Sequence, residues 1–291
     1  MIPGAFDYHL PTSLPDACRL LADLGDDARV VAGGHSLIPM MKLRMAVPEH
    51  LIDLRAIGEL RGITVADGAV TIGAMTTEAE VIASEELAQH CSILRETALQ
   101  IADPQIRNLG TIGGNVANGD PGNDMPAVMQ TLAATYQVEG LRGKRQIEAR
   151  DFYEAAFFTS LGEDEILTAI RIPLPPAGHG FSYQKQKRKI GDYATAAAAV
   201  VLTMDGGQCR SAAIGLTNVA DTPLFAEAAG AALVGTDVGK AAIDAAVQAA
   251  EAITQPAEDG RGPAAFRTKV AGVMVRRAIE QAKSRATGGA A

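Results

Sequence analysis

Cysteine is scarce in this chain of 291 residues. Only Cys18, Cys91 and Cys209 occur, far apart and in no metal-type or disulfide-type spacing. An iron–sulfur cluster that needs four cysteine ligands therefore cannot be held by this chain alone. Long apolar runs are missing too: the longest wholly apolar stretch, Ala196 to Leu202, is far too short to cross a bilayer. Positive charge is in deficit, and a formal net charge of -8 argues against a general nucleic-acid binder. The opening residues, Met1-Ile2-Pro3-Gly4-Ala5-Phe6-Asp7, show no basic region ahead of an apolar one, so a cytoplasmic chain without a signal peptide is expected.

Two common nucleotide signatures are absent as well. Gly33-Gly34-His35-Ser36 is not the G-x-G-x-x-G of a Rossmann turn. Gly235-Thr-Asp-Val-Gly239-Lys240-Ala241 is one residue short of a P-loop and lacks its final Ser or Thr; it reads as a turn between helices.

What is present is a stretch from Gly110 to Pro126 with five glycines, three asparagines and two aspartates. Glycine takes positive φ cheaply and lets a ligand approach the main chain, while Asn and Asp turn the chain by bonding their own backbone. A loop is expected here, offering N–H groups and short polar side chains. A second glycine segment, Val30-Val31-Ala32-Gly33-Gly34-His35-Ser36-Leu37-Ile38-Pro39, reads as a strand, a turn and a helix start with Ser36 as N-cap. Free N–H groups at such a helix start favour an anion. Two such loops suit a diphosphate held from both sides, and the favoured ligand is a nucleotide.

Hydrophobic content of 47% with 21% charged residues is that of a globular protein, and the length allows two or three compact units. Residues 1–55 read as a small α/β unit, with a helix through Ala17, Leu20, Leu21 and Leu24, strands at Val30-Val31 and His50–Leu54, and a second helix holding Met40, Met41 and Leu43, its Met residues read as core filler. Residues 56–172 form a second unit. It has a hairpin around Asp67-Gly68, a capping box at Thr77–Glu80, and a helix over Cys91–Ile101 that Asp103-Pro104 ends. A short buried helix over Ala127–Leu132, a strand pair of Thr135–Val138 with Arg145–Ala149, and a last strand over Glu165–Ile172 complete it. Pro173-Leu-Pro175-Pro176 is the linker. Residues 177–291 give strands over Thr195–Met204 and Gln208–Leu216, then alanine-rich helices with Val270, Val273, Met274 and Ile279 at helical spacing, and a loose tail, Thr287–Ala291. The fold class is α+β.

The segments Ala32-Gly33-Gly34-His35-Ser36 and Thr111-Ile112-Gly113-Gly114-Asn115, with Asp120-Pro121 and Asp124-Met125-Pro126, resemble the two FAD-binding motifs of the medium, flavin-carrying subunit of molybdenum hydroxylases. The likeness runs from Met1-Ile2-Pro3-Gly4 through Gly191-Asp192-Tyr193-Ala194-Thr195 to Asp259-Gly260-Arg261-Gly262-Pro263, and it leans toward the carbon monoxide dehydrogenase branch. The resemblance implies a two-subdomain FAD-binding fold of the vanillyl-alcohol-oxidase type, followed by a C-terminal sheet backed by helices. It implies that the molybdenum cofactor and [2Fe-2S] clusters sit on partner subunits, a large molybdenum chain and a small iron–sulfur chain, in a dimer of heterotrimers. An external electron acceptor completes the chain of transfer, and membrane association is at most peripheral.

Residue by residue, the resemblance places Ala32, Gly33, Gly34, His35 and Ser36 on the FAD diphosphate through main-chain N–H groups, with the Ser36 hydroxyl added. Thr111, Gly113, Gly114 and Asn115 fall to the diphosphate and ribityl chain, and Asp124 to the polar side of the cofactor. Asp120 is equally well an Asx turn. Ile101, Ile166 and Leu167 match positions lining the ring system, although on spacing alone they are core residues. In the basic run Lys185-Gln-Lys187-Arg188-Lys189, either Lys185 or Lys187 would face the pyrimidine edge of the flavin, the bland alternative being a solvated surface strand. Tyr193 would cover one ring face and govern access by the acceptor. No acid–base pair and no nucleophile with its base stands out, so no catalytic residue and no metal ligand is expected. The competing readings are a self-sufficient flavin oxidase or reductase, a flavin subunit serving purine, aldehyde or heterocycle oxidation, and a nucleotide-binding scaffold without redox work.

Overall fold

The computed structural model describes residues 2–288. Its first region comprises β1 (Asp7–His9), α1 (Leu14–Leu24), β2 (Ala28–Val31), α2 (Leu37–Lys42) and β3 (His50–Asp53), with a parallel three-stranded sheet in the order β1-β3-β2. Helix α1 forms where expected: Ser13 caps Asp16 N at 3.3 Å, and Leu14, Ala17, Cys18 and Leu21 are buried on one face. Strand β1 is the element that sequence reading missed, since three residues carry no readable alternation. Leu43, expected in the second helix, lies just past its end, since α2 stops at Lys42, and is 56% exposed.

The second region runs through β4 (Ile63–Ala66), β5 (Ala69–Gly73), α3 (Glu78–Ala83), α4 (Glu85–His90), α5 (Ser92–Ala98), α6 (Pro104–Leu109), α7 (Ile112–Ala117), α8 (Met125–Thr131), β6 (Thr135–Gly140), β7 (Gly143–Glu148), β8 (Tyr153–Ala155), β9 (Phe158–Thr159) and β10 (Ile166–Pro173). Its sheet has the antiparallel order β4-β5-β10-β6-β7, so the strand formed last occupies the centre. The Asp67-Gly68 hairpin turns with both φ positive, and Thr77 and Glu80 close the expected capping box.

Two expectations are corrected in this region. Asp103-Pro104 starts a helix rather than ending one: α5 stops at Ala98, and the Asp103 carboxylate caps α6 by accepting from Gln105 N and Ile106 N. Proline is tolerated at the first helical position because its missing N–H would have no partner there. The glycine-rich stretch after Gly110 is not an open loop either. Thr111 is an N-cap, Gly113 and Gly114 lie in the first turn of α7, and Asp124 precedes α8.

The third region holds β11 (Gly180–Gln186), β12 (Ala196–Asp205), β13 (Gln208–Thr217), β14 (Leu224–Phe225), α9 (Glu227–Ala231), α10 (Lys240–Ala252) and α11 (Ala264–Ala286), with an antiparallel sheet in that strand order. The unbroken apolar run of β12 has a physical reason, because both of its faces are covered. Ala196, Ala198, Val200 and Leu202 pack under the C-terminal helices, while Ala197 and Ala199 face the core of the second region. Val273, expected on the packed face of α11, is 45% exposed, whereas Val270 is partly buried and Met274 and Ile279 are buried. Gly235 turns the chain between α9 and α10 as expected. Of the tail, Thr287 and Gly288 follow α11; residues 289–291 lie outside the described residues. Among the described residues, no helix is long and apolar enough to cross a membrane.

Candidate functional site

The two glycine segments meet. Strand β2 delivers Ala32 and Gly33 to a turn in which Gly34 has φ +73, a conformation that favours glycine. A Cβ on Gly33 would lie 2.3 Å from Leu109 O and 2.8 Å from Gly110 Cα, so only glycine permits this approach of the two backbones. A Cβ on Gly114 would in turn touch that of Ala32 at 3.6 Å.

The two segments differ in what they leave free. Among the described residues, the N–H groups of Gly33, Gly34, His35, Ser36 and Leu37 have no acceptor in the protein. Ser36 occupies the N-cap position of α2 as expected, but in helical conformation and without a capping bond, which leaves its hydroxyl uncommitted by a cap. His35 is exposed. In the second segment the N–H groups are mostly spent. Ile112 N donates to Thr76 O and Gly113 N to Ala74 O, each at 2.9 Å, Gly114 N to Thr111 Oγ1 at 3.0 Å and Asn115 N to Thr111 O at 2.9 Å. A Cβ on Gly113 would lie 2.5 Å from Ala74 Cβ, so this glycine serves the close packing of α7 on the strand edge. The expectation of two equivalent donor loops is therefore corrected: one donates, and the other forms a fitted wall.

Asn115 gathers the segment that follows. Its carbonyl accepts from Asn123 Nδ2 at 2.7 Å and its side-chain oxygen from Met125 N at 3.4 Å. Asp120 does form an Asx turn, accepting from Gly122 N at 2.8 Å.

Asp124 is buried, and both of its oxygens are engaged. Tyr183 donates to Oδ1 at 2.5 Å and Lys185 to Oδ2 at 2.7 Å. Burial pushes its carboxyl up, against the pull of Lys185. The Lys185 side chain is only 1% exposed, which excludes the solvated-strand reading for that residue. Lys185 lies on β11 and Lys187 just past its end, and both reach Gln100: Lys185 Nζ donates to its carbonyl at 3.3 Å, and Lys187 Nζ to its Oε1 at 3.0 Å. Burial and then Lys185 lower the pKa of Lys187. Ile101 follows Gln100 directly and is 8% exposed, so the structure brings it beside the lysine pair.

Of Ile166 and Leu167, only Leu167 shares a core with Ile101 of this group. Ile166 and Leu167 are neighbours on β10 and pack into different cores, Ile166 with Leu14 and Leu21, Leu167 with Ile170 and Ile101. Tyr193 is partly exposed, and its ring lies against Gly122, where a Cβ would come within 2.8 Å. Burial, then the nearby Asp120 carboxylate, push its phenol up to about 12.

Three residues of the site escaped sequence reading. Tyr183 could have been found, since it stands two residues before Lys185 on the same strand and so on the same face. Gln100 carries no such signal. Glu78, at the first turn of α3, is buried with both carboxylate oxygens unpartnered, and burial, with the nearby Asp124, pushes it up to about 8. Its backbone N donates to Gly110 O at 2.9 Å, which ties it to the second glycine segment. Among the described residues, no cluster of three or more His, Cys, Asp or Glu is arranged to hold a metal ion.

Two family models match the chain in succession: the FAD binding domain in molybdopterin dehydrogenase over residues 4–175, and the CO dehydrogenase flavoprotein C-terminal domain over 181–282. The chain is 65% identical to the carbon monoxide dehydrogenase medium chain of Afipia carboxidovorans, covering 98% of this chain and 99% of that one. It is 48% identical to the medium chain from Hydrogenophaga pseudoflava, with 98% and 99% covered. Among solved structures, reconstituted CO dehydrogenase from Oligotropha carboxidovorans superposes with a TM-score of 0.97 at 65% identity, over 98% of this chain and 100% of that one. With both models matched in order across nearly its whole length, the chain belongs to the flavoprotein family of molybdopterin dehydrogenases, in the branch of the carbon monoxide dehydrogenase medium chains.

Proposed function

We propose that this chain is the FAD-carrying electron-transfer subunit of a carbon monoxide dehydrogenase-type molybdenum hydroxylase. The observation that carries the reading is the run of five unpaired N–H groups from Gly33 to Leu37, set at a helix start directly against Leu109-Gly110. These groups fit a diphosphate, because they supply several donors and no carboxylate side chain. The buried cations fit the other end of the cofactor, where a positive field favours added electrons.

Bound FAD would supply an exchange between one-electron donors and a two-electron acceptor. The chain's own residues hold and tune it. Ala32, Gly33, Gly34, His35 and Ser36 hold the diphosphate by backbone donation, with the Ser36 hydroxyl. Thr111, Gly113, Gly114 and Asn115 form the opposing wall toward the diphosphate and ribityl chain. Asp124 meets the polar side, although its first duty is to anchor Lys185. Lys185 and Lys187 present charge to the pyrimidine edge, Ile101, Ile166 and Leu167 exclude water from the rings, and Tyr193 covers one face. None of these residues is assigned an acid–base or metal-ligating role.

The same reading places substrate oxidation on a large molybdenum subunit and electron delivery on a small [2Fe-2S] subunit. The assembly would be a heterohexamer, a dimer of heterotrimers, in the cytoplasm and at most peripheral to a membrane, passing electrons to a quinone or soluble carrier. The proposed organisation of this chain is 1–55 and 56–172 as the two FAD-binding subdomains and 177–291 as the C-terminal domain.

The test is native purification with the partner subunits and an anaerobic visible spectrum before and after adding carbon monoxide. Bleaching of both flavin and iron–sulfur bands supports the reading. Bleaching only by a purine, aldehyde or heterocycle would retain the flavin role and overturn the branch. A yellow chain that purifies alone and is reduced directly by a substrate would point to a self-sufficient flavoenzyme.

A further inference from the structure

Arg267, on α11, is 2% exposed, and three backbone carbonyls accept from it. Its Nε donates to Thr195 O at 3.2 Å, Nη1 to Ala257 O at 2.7 Å, and Nη2 to Asn218 O; the Asp259 carboxylate lies 3.5 Å away. A buried guanidinium costs desolvation, and planar donors aimed at carbonyls that would otherwise be unpaired offset that cost.

Two of those carbonyls lead to one place. Thr195 is two residues from Tyr193. Asn218, held at φ +60, donates its Nδ2 to Ala194 O at 2.5 Å and its backbone N to Pro121 O at 2.9 Å. The carbonyls of both residues after Tyr193 are thereby fixed, and so is the Asp120–Gly122 turn that its ring touches. Asp259 continues the arrangement on the far side: it pairs with Arg261 at 2.7 Å, whose guanidinium stands 5.8 Å over the Tyr193 ring.

We propose that Arg267 is a positioning residue for Tyr193. Through Thr195 and Asn218 it holds the Tyr193 ring against the Asp120–Gly122 turn, and so decides how the flavin face is covered. A C-terminal helix that does not itself reach the cofactor site would then control access to it. The inference rests on the reading of Tyr193 as the cover of the flavin.

The test uses the assembled complex with Arg267→Lys, Asn218→Gly, Tyr193→Ala and the double variant Arg267→Lys/Tyr193→Ala. Glycine keeps the positive φ of Asn218 and its bond to Pro121 while removing the bond to Ala194. Flavin content, flavin fluorescence at full occupancy, and the kcat and KM for the acceptor are measured. Arg267→Lys and Asn218→Gly should keep FAD and its reduction by substrate, raise flavin fluorescence, and raise acceptor KM on the order of tenfold, as a displaced positioning contact does. Adding Tyr193→Ala should cause no further change, because both substitutions remove the same cover.

Additive effects, or unchanged fluorescence and KM in Arg267→Lys and Asn218→Gly beside a clear effect of Tyr193→Ala, would overturn the proposal. If Tyr193→Ala alone moves neither readout, the assignment of Tyr193 fails, and this proposal with it. Should Arg267→Lys not accumulate as folded protein, Asn218→Gly decides in its place.

Discussion

Lys185 and Asp124, 61 residues apart, form an ion pair of 2.7 Å with side chains only 1% and 6% exposed. The strand that carries the lysine belongs to the C-terminal sheet, and the aspartate stands at the start of α8 in the region before it. A buried pair is costly to break from one side, because the remaining charge is stranded. Lys185→Met should therefore destabilise the chain by about 3 kcal/mol or more, while Lys185→Met/Asp124→Asn should recover much of the loss. Thermal unfolding of the two variants checks this, and equal losses would refute it.

Gly33→Ala should empty the site. The new methyl has no room against Leu109 O, so the two glycine segments must part and the N–H run must shift. FAD content read from visible absorbance should fall by on the order of tenfold, as expected when about 1–2 kcal/mol of backbone strain is placed in a binding loop.

Burial, then the nearby Asp124, push the Glu78 carboxyl up from the ordinary 4.5 of a glutamate to about 8 in the folded chain. The folded state then holds a proton that the unfolded state has released, and stability falls as pH rises from about 4.5 to about 8. Glu78→Gln removes that dependence. The difference in melting temperature, variant minus parent, should grow steadily between pH 5 and pH 8 and level off above. A difference that stays flat across this range would show that Glu78 is not held neutral.

Thr77→Ala breaks the capping box of α3 and should cost about 1 kcal/mol. Thr77 also bridges to Thr111, so flavin affinity should weaken with it. Chemical denaturation and flavin titration on the same sample separate the two effects.

Much of the architecture is legible in the sequence where a residue's role is local. The Asp67-Gly68 hairpin, the Thr77–Glu80 box and the α1 face follow from turn chemistry, capping and spacing. The glycine motifs could be read as a site, but not how the two segments divide the work. Gly113 and Gly114 look like loop formers in sequence, yet the Thr111 cap on Gly114 N and the packing of Gly113 against Ala74 place them in a helix. Asp103-Pro104 is ambiguous for the same kind of reason, since both a stop and a start before proline satisfy local rules. Gln100, Glu78 and Arg267 were out of reach, because their partners are set by tertiary contacts.

Glu96 accepts from Tyr183 N at 2.6 Å and from Arg285 Nη1 at 2.7 Å, which ties α5 to β11, the strand of Lys185, and to the last turn of α11. Synthesis on the ribosome delivers the glycine segments well before Arg285. A nascent chain can form the diphosphate cradle long before Lys185 and Lys187 are clamped in place. Firm cofactor loading is thus expected only once α11 has emerged and docked, and Arg285→Ala, which cuts the tie to Glu96, should yield a protein able to gather the phosphates yet unable to hold the ring end firmly.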